Sequence, residues 1–117
     1  MRRLLVLLFL LATILIPQSS QAMPISEFLE HPEQQQRVFA LGAVSMMAFS
    51  EGINGHAARM KCITDWYEAK GDDQFFAALA LSPQAFKARF KFDPNDEGLG
   101  YVELVLMRMA NEVCPEK

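Results

Sequence analysis

The sequence is poor in the residues from which most small active sites are assembled. Two cysteines and two histidines occur in 117 residues. No His-x-x-x-His or Cys-x-x-Cys spacing is present, so no zinc site is offered. No motif places a serine or cysteine nucleophile beside His31 or His56. Asp65 and Glu68 lie one helical turn apart, but such a pair on an exposed helical face usually serves solvation rather than hydrolysis. Repeats and low-complexity segments are lacking, and no stretch alternates apolar and polar residues as a half-buried strand would. These absences argue against an enzyme, a bound metal or a cofactor.

Long apolar runs are also scarce, and the clearest stands at the start, in "MRRLLVLLFLLATILIPQSSQA". Arg2 and Arg3 precede thirteen apolar or near-apolar residues, Leu4 to Ile16. Pro17 breaks the run, and Ser20 and Ala22 put small residues at −3 and −1 of a cleavage point. That is the layout of a secretory leader. The run falls short of the roughly 20 residues a membrane span needs. The expected organisation is a signal peptide at 1–22 and a single domain at 23–117, periplasmic or secreted and not held at the membrane. A mature chain of 95 residues can bury a modest core, and a covalent staple helps at that size. The whole chain carries a net charge of −3; without Arg2 and Arg3, nine basic residues face fourteen acidic ones, a net of −5. That balance favours basic partners and argues against nucleic acid and anionic lipid.

In an exported chain, two cysteines most simply form one disulfide. Cys62 and Cys114 are 52 positions apart, and the chain-entropy model gives about 4 kcal/mol for closing such a loop. A bond so near the last residue would stop a terminal helix from fraying.

What remains is helical in pattern. Pro24 and Pro32 suit first helical positions. From Pro32, "PEQQQRVFALGAVSMMAFSE" runs without a breaker and is apolar nearly all round after Arg37, which predicts a central helix packed on several sides. Gly52, Asn54 and Gly55 predict a helix end and tight turn. "HAARMKCITDWYEAK" is a further helix, expected to end at Gly71, with Asp72 capping the next through Phe75, Phe76 and Leu79. Ser82-Pro83 opens a short helix carrying Phe86 and Phe90. A last helix from about Leu99 to Val113 buries Val102, Val105, Leu106, Met109 and Val113. The expected fold is all-α: a compact bundle of five to six helices with one disulfide. Trp66 is expected beside the disulfide, though with Tyr67 it could instead anchor a partner. The Met46-Met47 pair and Met107/Met109 read as core before they read as a groove.

The loop "DPNDEG" invites a test as a calcium site. Asp93, Asn95 and Glu97 would be ligands one, three and five, with Gly98 at six. Position twelve is Leu104, and Glu103 is one residue out of register. Lacking its bidentate acid, the loop reads as solvated and acidic.

The long apolar helix with Gly42 and Gly52 in "ALGAVSMMAFSEG", the mid-chain Cys62 and the closing "MRMANEVCP" together resemble the small helical immunity proteins of type VI secretion, the Rap and Tai kind. The similarity covers about Val38 to Pro115. Departures are Lys61 and Ile63 flanking Cys62, where the family tends to an aromatic and a proline, and Glu51-Gly52 where it tends to aspartate-glycine. The resemblance implies a non-catalytic periplasmic protein that blocks a cell-wall amidase effector, as a homodimer. Asp72, Asp73, Asp93, Asp96 and Glu97 are the exposed acids best suited to steer such docking. Rival readings are an acid-stress periplasmic chaperone and an accessory subunit of an envelope complex.

Overall fold

Prolines and one tight turn set the helix boundaries in the computed structural model, which describes residues 22–116. The leader residues Arg2 to Gln21 lie outside that range. Helix α1 (Ile25–Glu30) follows Pro24, and α2 (Glu33–Ile53) follows Pro32. Each proline sits one step before the helix rather than inside it, and each has an extended ψ. Helix α2 ends at Asn54, and the chain turns through Gly55, whose φ of 82° suits glycine.

Helix α3 (Ala57–Trp66) does not stop at Gly71 as its composition suggests. A π-helical turn over Tyr67–Gly71 carries it directly into α4 (Asp72–Leu79). Gly71 and Asp72 both keep right-handed helical dihedrals, so Asp72 is not a cap. The wider turn brings Gly71 under the Trp66 indole, where a Cβ would meet ring carbons at 2.8 Å. Trp66 is buried, but it lies over Gly71 and donates from Nε1 to Gln74 Oε1 at 3.0 Å. Burial of Trp66 and Tyr67 also removes them as partner anchors.

Helix α5 (Pro83–Phe90) starts as its sequence predicts, with Ser82 Oγ accepting from the Ala85 N–H at 3.2 Å. Helix α6 (Val102–Val113) begins later than Leu99, because Asp96 Oδ1 holds the Gly98 and Leu99 N–H groups in a turn. The described residues thus form six α-helical segments, two of them fused through the π turn, and no β-strand. One isolated antiparallel bridge pairs Pro24 with Tyr101. The disulfide joins Cys62 on α3 to Cys114 just past α6, with Cα atoms 6.0 Å apart.

Aromatic packing builds the core. Phe28 of α1 meets Phe39, Phe75 and Phe76, with ring centroids 5.9 to 6.2 Å away. Phe86, Phe90 and Phe92 form a second group. Helix α6 buries Val102, Val105, Leu106, Met109 and Ala110, while Val113 stays exposed. The prediction that α2 is packed on several sides fails. It buries only Ala40, Val44 and Ala48, small side chains that let its neighbours close in. Phe39 and Met47 are half-buried against the core, but other large apolar residues point outward: Val38 and Met46 are 67% exposed, Phe49 59% and Ile53 68%.

The segment before α1 is strapped to the start of α6. The Val102 N–H donates to the Met23 carbonyl at 3.0 Å, and the Ile25 N–H donates to the Gly100 carbonyl at 2.9 Å. A side chain at Gly100 would strike the carbonyl oxygens of Pro94 and Asp96, so the strap needs glycine there. Among the described residues, no helix is long and apolar enough to cross a membrane.

Candidate functional site

The exposed side of α2 is the feature that the core does not account for. Residues Glu33, Arg37, Ala40, Val44, Ala48 and Glu51 follow one another at spacings of three and four, and so share a face. Every charged residue of the helix therefore lies on the side that packs inward. Arg37 Nη1 donates to Asp72 Oδ2 at 2.7 Å, and its guanidinium covers the Phe76 ring at 4.6 Å. The hydrogen bond to Glu33 pushes the Arg37 pKa up, and the charge of Asp72 adds to this. Glu51 lies 2.8 Å from His56 Nδ1 and 3.7 Å from Arg59 Nε. The opposite face is Val38, Gly42, Ser45, Phe49 and Ile53, flanked by Leu41 and Met46. From Val38 to Ile53 it extends about 23 Å at 1.5 Å per residue and carries no charge.

This face continues into a groove of about 460 Å³ between α2 and α6. Ala43 and Met47 form its α2 wall, and Leu99, Leu104 and Met107 the other. The methionines thus divide: Met109 is core, whereas Met46 and Met107 are exposed.

A second concavity, about 530 Å³, lies beside the disulfide and contains Arg59. Its side chain is 11% exposed, and Nη2 donates to Asn111 Oδ1. Nε and Nη1 make no hydrogen bond; Glu51 and Glu116 stand at 3.7 and 3.6 Å. Two carboxylates already balance this guanidinium, which leaves little net positive charge to draw an anion in.

The five acids singled out in the sequence fall on two elements. Asp72 is engaged by Arg37 and by the Tyr67 hydroxyl, which donates to its Oδ1 at 3.3 Å. Burial, followed by the charge of Asp72, pushes the Tyr67 pKa up. Asp93 Oδ1 accepts from the Asn95 N–H at 2.8 Å, and Asp96 Oδ1 is used by Gly98 and Leu99. These three carboxylates shape the fold. Asp73 and Glu97 are exposed, with no side-chain contact of that kind among the described residues. Nor does any cluster of three or more His, Cys, Asp or Glu among those residues converge as a metal site would.

Sequence reasoning missed the outer face of α2, although a signal was present. The helix is apolar all round, so periodicity alone does not say which side turns inward. The small residues Ala40, Val44 and Ala48 at spacings of four mark the side on which a neighbour can come close, whereas the charges in the same register would by themselves point that side to solvent. No protein-family model, curated protein or solved structure matches the chain.

Proposed function

We propose that the protein is a non-catalytic binding protein of the periplasm that pairs with a second copy through the outer face of α2 and captures a basic protein partner through its exposed acids. The uncharged α2 face carries this reading. Two chains of net charge −5 repel, and a face free of charge is where they can meet at least electrostatic cost. The face also complements itself. Gly42 has open space where a side chain would stand, and Phe49 projects two helical turns away. In an antiparallel pair centred between Ser45 and Met46, each Phe49 lies over the partner subunit's glycine. A two-fold interface requires such self-complementarity. The α2–α6 groove widens the patch toward the area a stable dimer needs, roughly 800 Å² per partner.

The resemblance to Rap and Tai immunity proteins supports a cell-wall amidase effector as the captured protein, with Asp73 and Glu97 steering its approach. The chaperone reading calls for apolar surface uncovered only by acid. Here the α2 face is already uncovered, and no carboxylate or histidine is buried in the core among the described residues to act as a trigger.

Sedimentation of the purified mature protein at micromolar concentration tests the pairing. A dimer is expected, with Phe49→Glu giving a folded monomer. A wild-type monomer at all concentrations would discard the self-pairing. If Phe49→Glu then also abolishes capture of the partner from the native periplasm, α2 is the heterologous interface. Charge reversal at Asp73 and Glu97 should weaken capture and leave the dimer intact.

A further inference from the structure

The backbone nitrogen of Met23 lies 3.2 Å from Glu103 Oε1 and 3.1 Å from Oε2. Both oxygens of one carboxylate are thus turned toward a single nitrogen from a distant part of the chain. A glutamate in the first turn of a helix has a simpler occupation, favouring the helix dipole or capping its own N–H groups. Glu103 does not cap: α6 has no side-chain cap hydrogen bond, and its first position follows an extended Tyr101. An amide offers that carboxylate one hydrogen and no charge.

From this geometry we infer that hydrolysis of the Ala22–Met23 bond completes the fold, by creating an α-ammonium that Glu103 holds as an ion pair. The inference rests on the leader reading of residues 1–22. Hydrolysis by a leader peptidase consumes one water; Ala22 departs with the new carboxylate, and Met23 keeps the new amine, protonated at neutral pH. The ammonium then has three donors and a full charge for an acceptor already positioned. Charge-assisted bonds of this kind are roughly twice as strong as neutral ones. The strap leaves Met23 little freedom, since its carbonyl accepts from the Val102 N–H and Pro24 bridges Tyr101. The same cut changes the α2–α6 groove, because Ala22 is part of its lining. The groove loses that one lining residue only when the chain has been processed.

The protein should be exported with its own leader, purified from the periplasm and weighed intact. A mass beginning at Met23 is expected. Its melting midpoint is then compared with that of the same chain retaining Gln21 and Ala22, each with and without Glu103→Gln. The substitution should lower the midpoint of the Met23 form by at least about 4 °C more than that of the extended form. Equal losses overturn the inference, since an amide would then serve Glu103 as well as an ammonium does. A chain that starts elsewhere overturns the Glu103 assignment but leaves the leader reading standing; an intact leader overturns both. If Glu103→Gln does not fold, the two forms with native Glu103 carry the test: the Met23 form must melt higher, and equal midpoints refute the pairing.

Discussion

Gly71 lies so close beneath the Trp66 indole that a methyl group there would sit 2.8 Å from its ring. The ring cannot withdraw easily, because its Nε1 is tied to Gln74 and the residue is buried. Gly71→Ala should therefore cost about 1–3 kcal/mol despite the better helix propensity of alanine. Urea unfolding checks this. An alanine variant as stable as the parent would mean that the π turn can rewind into a regular helix.

The Cys62–Cys114 bond closes a loop of 52 positions around the last helix. Cys114→Ser should lower stability by roughly 2–4 kcal/mol. Intact mass of the exported protein should lie two hydrogens below that of the dithiol. Quantitative alkylation of both cysteines without prior reduction would contradict the bond.

Phe28 is the anchor of the shortest helix and is fully buried among three other rings. Phe28→Ala should cost about 3–5 kcal/mol, the usual range for a buried ring. Amide exchange in α1 and in the strap before it should accelerate more than in α6. Uniform acceleration would show that α1 does not open separately.

Tyr67 gives stability an alkaline limit. Its phenol is neutral in the fold and its pKa is raised, by burial first and by the charge of Asp72 second. The unfolded chain therefore releases this proton at lower pH than the native protein does. The contribution is complete below the ordinary tyrosine value of about 10 and is lost as pH climbs above it. Tyr67→Phe should flatten the fall of the melting midpoint in that range. An unchanged slope would assign the loss to other groups.

The loop from Asp93 to Glu97 spends two of its carboxylates, Asp93 and Asp96, on its own backbone N–H groups. Chelator should therefore leave the melting midpoint unchanged, and added calcium should not raise it. A rise of several degrees with calcium would restore the loop as a cation site.

Most of the helical architecture is legible in local chemistry. Ser82-Pro83 marks the start of α5, and Asn54-Gly55 the end of α2, because caps and left-handed turns depend on the residues present. The cysteine pairing follows from having two thiols in a chain read as exported. Gly71 misleads for a physical reason. Glycine ends helices where a backbone turns left-handed, but here it serves a close approach, which only the distant packing of Trp66 reveals. The acids differ in another way: Asp93 and Asp96 are exposed and Asp72 half-buried, yet the carboxylate of each is engaged by a partner that the fold or the turn supplies.

Helix α6 is gripped at both ends, by the Met23 strap at its start and by the disulfide at its finish. Proteases begin at loose segments, and such segments are commonest where a folded chain begins and ends. Here the segment just before α1 is fastened to the start of α6, and the residue just after α6 is fastened to α3. Within the described residues, unravelling of α6 from either side meets a clamp before it uncovers the core.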